Sequence, residues 1–507
     1  MGAGTLAAIG KLKTYIPGFD LVAHGGLPKD RTTLIVGTAG SAKTTFAAQF
    51  LAAGITHADE SGVFVTFEES PTDVRRNVAG LGWHIEAWEK QKKWAFVDAS
   101  PQPLEDVQLN GQYDLGALLA RVEHAIHQVN AKRVSIDAIG SLLLRLPHVA
   151  LIRSELLRLF AGLRLLEVTT LLTTERVNDH GELTRHGVEE FVADNVIIFR
   201  NALEDEKRRR TMEILKFRGT THIRGEVPFT INPQQGVVLL PLTDLQLKQR
   251  SSVTRITAGN VEIDAMCGGG FFRDSIVLVS GATGTGKTLL TTQFLAGGIR
   301  QGERCLLLAF EESREQLFRN AQGWGIDFEK MEEEGSLRVI CEYPEVASLE
   351  DHLLRMKTEV EEFKPHRLTI DSLSALERIS TEKGFREFVI DFTSFVKHRE
   401  IAGVFTATTP TLMGGISSTE AHISTLTDSI ILLRYIEIYG EMRRGITILK
   451  MRGSTHGKEI REFTIDGRGM HIGQAFRNVT GIISGNPVYL AANEINQLET
   501  LFKEDQP

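Results

Sequence analysis

Two short stretches of this 507-residue chain carry the residue types needed to grip a triphosphate: GTAGSAKTT from Gly37 and GATGTGKTL from Gly281. A phosphate-binding loop presents backbone N–H groups and a helix N-terminus to anionic oxygens, brings a lysine to the β and γ phosphates, and sets a hydroxyl on Mg2+. Gly281, Gly284, Gly286, Lys287 and Thr288 supply each part, with Leu289 following. Gly37, Gly40, Lys43, Thr44 and Thr45 do so in the first loop, except that Ala42 stands where the last glycine is expected. A positive φ at that position strains any residue but glycine, and Gly40 is the neighbour placed to share the demand. The pattern predicts ATP with Mg2+ at both loops, with Ala42 tolerated.

After the next apolar run, each half carries a carboxylate pair, Glu68-Glu69 and Glu311-Glu312. One member can orient or deprotonate an attacking group: water for hydrolysis, a hydroxyl for transfer. A solvated acidic turn is the plainer reading of Glu-Glu alone, but the recurrence favours catalysis. Asp137 and Asp371 end apolar runs and fit the carboxylate that holds Mg2+ through water, together with Thr44 and Thr288. Lys216-x-Arg218 and Lys450-x-Arg452, followed by His222 and His456, put two cations on one face of an extended segment. They are expected either to reach a γ-phosphate, the arginine acting across a subunit boundary, or to be solvated edge-strand cations.

Elements must deliver these groups to one place. The two loops begin a match that runs collinearly down the chain: VFVTFEES (63–70) with LLLAFEES (306–313), SIDAIGSLL (135–143) with TIDSLSALE (369–377), and ILKFRGTTH (214–222) with ILKMRGSTH (448–456). A tandem duplication follows. Each copy alternates short β-branched runs with segments of helical period, the pattern of a mostly parallel sheet flanked by helices, so the fold class is α/β. Domains are expected at 1–240 and 254–487, with a linker at 241–253 and a tail at 488–507.

Hydrophobic residues make up 42% and charged residues 24%, as in a compact globular protein, and the net charge of −8 argues against nucleic acid as the main partner. Lys207-Arg208-Arg209-Arg210 reads as a hairpin tip. No apolar run approaches a membrane span and no signal peptide opens the chain, so a cytoplasmic protein without a membrane partner is expected. Cys267, Cys305 and Cys341 share no metal-like spacing and read as reduced core thiols. The copies also differ where Asp194 and Asp428 anchor the alignment. Ser424 and Thr425 of the second align with Glu190 and Phe191 of the first, and Thr419 aligns with Arg185, so only the second has hydroxyls in this stretch. Those hydroxyls are either phosphoacceptors or ordinary turn residues.

The two FEES segments, the KxRGxxH segments and ISSTEAHISTLTD together resemble the KaiC family of circadian clock proteins, nearly end to end from IPGFD to IISGNP. The resemblance implies two RecA-like P-loop domains in a homohexamer with ATP at subunit interfaces, a slow ATPase in the first domain, and an autokinase and autophosphatase in the second. It makes Ser424 and Thr425 the phosphoacceptors and Thr419 auxiliary. Glu311 becomes the base with Glu312 its partner, and Arg378 and Arg386 lie near the phosphosite or an interface. It also implies a KaiB-like partner at about 108–115. The last residues, YLAANEINQLETLFKEDQP, depart from the tail associated with KaiA, which argues against dependence on a KaiA-like protein. Two other readings stand beside this one: a nucleic-acid-dependent ATPase on the same fold, and a non-catalytic scaffold that uses nucleotide only to hold its assembly together.

Overall fold

A computed structural model describes residues 9–242 except 101–114, 145, 147, 205 and 206, then 251–409, and 423–489 except 439, 478 and 483–487. The chain divides into two compact units, Met1–Asp244 and Leu245–Pro507. Each contains one nine-stranded sheet of the same plan.

In the first unit the central strand, Thr32–Gly37, lies parallel to Thr169–Glu175 on one side and Asn195–Glu204 on the other. Arg133–Asp137, Gly62–Thr66 and Trp94–Asp98 extend the parallel part outward. From Asn195–Glu204 the sheet continues in antiparallel steps through Lys207–Phe217, Glu226–Asn232 and Gly236–Leu239. The second unit repeats the order: Leu337–Cys341, Cys305–Ala309, Arg367–Asp371, Ala402–Thr408 and Ile276–Gly281, then Ser429–Ile438 and the antiparallel strands Glu441–Met451, Arg461–Asp466 and Gly469–Ala475. Both central strands, TTLIVG and IVLVSG, are buried at every position, as a strand covered on both faces must be. Helices Lys43–Ala58 and Lys287–Ile299 pack on one face of their sheets through Phe46, Phe50 and Leu51, and through Leu290, Phe294 and Leu295. Cys267 and Cys305 are buried, and burial pushes each thiol up to about 12, while Cys341 is half-buried.

Both sheets are braced by an arginine with no exposed side-chain surface. Arg133 pairs with Glu60 and donates to the carbonyls of Phe50 and Lys13 at 3.0 and 2.8 Å. Arg367 pairs with Glu303 and donates to Phe294 O at 2.9 Å. Each guanidinium lies against a helix glycine, Gly54 or Gly298, where any Cβ would collide with it. Such a pair anchors the phosphate-loop helix to the sheet because breaking one side leaves a buried charge uncompensated.

Burial alone would push Glu303 up, but hydrogen bonds from Arg273 and Arg367 outweigh it and its pKa falls below the usual carboxylate range. A depressed carboxylate stabilises the fold above its unfolded pKa of about 4.3 and stops doing so as pH falls through the lower folded value. Glu303→Ala is therefore expected to destabilise the second unit at pH 7 by about 3 kcal/mol and to flatten its acid-induced loss of stability below about pH 4. Denaturant unfolding at several pH values, followed by hydrogen exchange in Arg367–Asp371, measures both.

Candidate functional site

The second phosphate loop leaves the carboxyl end of Ile276–Gly281 and turns into the helix that starts at Lys287. Gly284 and Gly286 hold positive φ of 79° and 105°. Lys287 is buried and donates from Nζ to Gly281 O and Ala282 O at 2.9 and 3.0 Å. Among the described residues it has no ion-pair partner. Burial lowers its pKa, opposed by Asp371 and Glu311. A desolvated ammonium resting on carbonyls is suited to an incoming anion. Thr288 Oγ1 donates to Asp371 Oδ2 at 2.7 Å, and Thr406 donates to the other oxygen of the same carboxylate. Burial raises the pKa of Asp371, against those two hydrogen bonds and Lys287. Gly284, Gly286, Lys287, Thr288 and Asp371 line a cleft of about 260 Å3 together with Glu311, Glu312 and Trp324. The hydroxyl and carboxylate form the hard oxygen set that Mg2+ takes beside phosphate, so the residues present fit that ion with ATP.

The glutamate pair follows the strand Cys305–Ala309, and the serine of FEES caps the next helix: Ser313 forms a capping box with Gln316. Ser70 caps its own helix by accepting from Asp73 N. Those serines have a structural duty. Asn320 donates to Glu312 Oε2 at 3.1 Å and Asn77 to Glu69 Oε2 at 3.0 Å, so an asparagine orients the second glutamate in both copies. The reading of the sequence missed these asparagines, although R-N recurs at the same spacing after both FEES segments. The first glutamates differ. Glu311 accepts from Arg378 at 3.1 Å. Glu68 is raised by burial, opposed by a hydrogen bond with Ser141 and reinforced by Glu175 and Asp137. Arg386 is exposed on the helix Glu382–His398.

The first phosphate loop has the same frame. Lys43 Nζ donates to Gly37 O and Thr38 O at 2.8 and 2.9 Å, and Thr44 Oγ1 to Asp137 Oδ2 at 2.7 Å. Burial lowers the pKa of Lys43, opposed by Glu175, Asp137 and Glu68. Ala42 adopts φ 71°, so Gly40, at φ 72°, does not relieve it of the left-handed conformation. The residues around the equivalent position differ between the lobes. At Gly286 a Cβ would lie 2.9 Å from Ile465 Cδ1 and 3.3 Å from Met470 Cε. Met470 pairs with Ile465 as Val237 pairs with Ile231, so the first lobe has the shorter side chain there. Thr45 is half-buried beside Thr44, while Leu289 is a buried core residue that also lines the cleft.

The cation pairs do not meet their own loop. Lys450 donates to the carbonyls of Ser424 and Thr427, both at 2.7 Å, and Arg452 to Thr425 O at 2.8 Å. Lys216 and Arg218 hold Glu190, Ala193 and Phe191 the same way. His222 packs edge-on against Phe217, and His456 is half-buried. Gly281 lies level with Leu433, whereas Ser424 and Thr425 precede Ser429. Ser429, where that strand begins, is thus about 13 Å along the sheet from the level of Gly281, and the acceptor segment precedes it. Ser424 is half-buried and Thr425 exposed; Thr419 lies outside the described residues, as do positions 108–114 of the expected partner loop. The basic run begins the strand Lys207–Phe217, and Arg210 reaches the phosphate loop, donating from Nε to Gly40 O at 3.4 Å.

The family described as "ATPase: KaiC" matches residues 12–244 and again 256–476. The chain is 62% identical over 496 residues to the "Circadian clock protein KaiC3" of Synechocystis sp., covering 98% of each chain. It is 53% identical over 497 residues to the "Circadian clock oscillator protein KaiC" of Thermostichus vulcanus, covering 98% of this chain and 95% of the relative. To the "Circadian clock oscillator protein KaiC 1" of Synechocystis sp. it is 51% identical over 493 residues, covering 97% and 95%.

Gly286→Ala, which copies the first loop into the second, is expected to destabilise the second lobe by about 1–2 kcal/mol through the left-handed backbone, with further crowding against Met470. Met470→Val should return part of that loss. Thermal unfolding of the single and double variants measures it.

Proposed function

The chain belongs to the KaiC family, and on that premise we propose that it is an ATP-hydrolysing ring whose second lobe phosphorylates and dephosphorylates its own subunits. The observation that carries this reading is the separation, within one lobe, of the phosphate loop from the segment holding Ser424 and Thr425. One chain does not bring its own γ-phosphate to its own acceptor. A second copy does, if it presents its acceptor segment, with Lys450 and Arg452, across the first copy's cleft. Contacts of that head-to-tail kind close into a ring, and the family resemblance makes the ring a hexamer with ATP at each interface.

In the second lobe, Gly281, Gly284, Gly286 and Lys287 hold the triphosphate, and Thr288 and Asp371 hold Mg2+. The ion, when bound, neutralises charge on the β and γ oxygens. Glu311 takes the proton from the neighbour's Ser424 or Thr425 hydroxyl, whose oxygen attacks the γ-phosphorus as the bond from that phosphorus to the β–γ bridging oxygen breaks and ADP leaves, while Asn320 keeps Glu312 turned toward the same cleft. Lys450 and Arg452 exchange carbonyl partners for the transferring phosphoryl group. Water serves as acceptor in the first lobe, with Glu68 as base, Glu69 its partner, Lys43, Thr44 and Asp137 at the nucleotide, and Lys216, Arg218 and His222 acting from the neighbour. His456 takes the equivalent place in the second lobe. Among the described residues no helix is long and apolar enough to cross a membrane, and we place the protein in the cytoplasm. The relatives' names support a timing role. A KaiB-like protein is the expected partner, at about 108–115.

Incubation with ATP and Mg2+ followed by phosphopeptide mapping tests the kinase reading. Phosphate on Ser424 and Thr425 is expected, with the rate reduced by at least about 100-fold in Glu311→Gln. Hydrolysis of ATP with neither residue modified would reject the kinase assignment.

A further inference from the structure

The two phosphate loops solve one problem differently. The second has glycine at the left-handed position 286 and Ala282 after its first glycine; the first has Ala42 at the left-handed position and Thr38 after its first glycine. In both, the carbonyl of that second residue is a resting partner of the lysine, with Thr38 O 2.9 Å from Lys43 Nζ and Ala282 O 3.0 Å from Lys287 Nζ. Only Thr38 has a hydroxyl, and it is used. Thr38 Oγ1 donates to Asp179 Oδ1 at 2.9 Å, and the same oxygen accepts from the backbone N–H of Asn201 at 3.2 Å.

Asp179 lies on the segment between Thr169–Glu175 and Glu189–Val192 that returns beside the phosphate loop. That segment is itself fastened. Arg176, almost fully buried, donates from Nε to Glu182 O at 3.1 Å and from Nη2 to Gly181 O at 2.9 Å. Thr38 is thereby fixed from both sides, its hydroxyl by Asp179 and its carbonyl by Lys43 and Ser41. Hydrogen bonds to an ionised carboxylate are stronger than neutral ones, and a non-glycine residue at positive φ is strained, so other contacts must hold the loop in that shape.

We propose that Asp179 is a positioning residue for nucleotide binding in the first lobe: by hydrogen-bonding Thr38 it keeps the first phosphate loop in its binding shape despite Ala42. This rests on the reading that the first lobe binds ATP. It adds a residue of the first lobe alone, since Ala282 gives the second lobe no hydroxyl for such a tie.

The test is calorimetric titration of ATP with Mg2+ into the full chain carrying Lys287→Ala, so that uptake reports the first lobe. Asp179→Ala is expected to weaken binding about tenfold, the scale of one lost charge-assisted hydrogen bond. Asp179→Asn, which keeps an acceptor oxygen but not the charge, should weaken binding less than Asp179→Ala does. Thr38→Ala should match the loss, with no further loss in the double variant. Ala42→Gly in the Asp179→Ala background should restore most of the affinity, an outcome that general unfolding of the lobe does not produce. Equal binding by Asp179→Ala and the parent, or a loss that Ala42→Gly leaves unchanged, overturns the inference alone. A parent that takes up no ATP overturns the functional reading and the inference together.

Discussion

Each lobe depends on a mostly parallel sheet whose two ends carry different groups. At the carboxyl end the central strand stops at Gly37 or Gly281, and a buried lysine is bent back onto the carbonyls of the loop that follows. At the amino end, a lysine and an arginine from the antiparallel extension hold carbonyls of the segment that enters the neighbouring strand. The strand between them is rigid and fully paired, so no side-chain rotation joins the two ends. Completing either site from both ends takes a second molecule, and the ring and transfer between subunits proposed above follow from that constraint.

The duplicated frames surround their first glutamates with different charges. Glu68 sits among Glu175, Asp137 and Ser141, and burial together with those carboxylates raises its pKa. In the second lobe Thr408 replaces Glu175 level with the loop, Ala375 replaces Ser141, and Arg378 pairs with Glu311. Instead Glu312 is the raised carboxyl, through burial and Asp371, with Asn320 opposing. A proton-accepting group poised nearer neutrality suits activation of water. A carboxylate held by a guanidinium has its position fixed for an acceptor delivered by another chain. The division of labour proposed for the lobes thus has a local electrostatic counterpart.

Much of this was legible in the sequence because the decisive groups sit next to each other along the chain. Glycines, lysine and threonine share one loop, the FEES glutamates follow one strand, and Asp137 and Asp371 end another; duplication then separated signal from coincidence. The fold class followed from the same runs, and membership of the KaiC family agrees with the resemblance drawn from the motifs. Contacts made by register were not legible. Thr173 and Thr406 reach the Asp137 and Asp371 carboxylates from neighbouring strands, and Thr38 meets Asp179 across 141 positions. The strain at Ala42 was foreseen, but not that Val237 stands opposite Ile231 where the second lobe sets Met470 opposite Ile465, because that depends on sheet register. The KxR pairs read either as phosphate ligands, the arginine acting across a subunit boundary, or as solvated edge-strand cations; the carbonyls that hold them were not legible.

The central claim, that one chain's phosphate loop serves another chain's acceptor, is tested most directly by mixing two disabled forms. One carries Lys287→Ala and keeps its acceptors; the other keeps its phosphate loop and carries Ser424→Ala with Thr425→Ala. After co-assembly and incubation with ATP and Mg2+, the account predicts phosphate on Ser424 and Thr425 of the first form, although neither form alone is modified. Mixed assemblies that hydrolyse ATP yet leave those residues bare, while the unmutated chain phosphorylates its own, would contradict it.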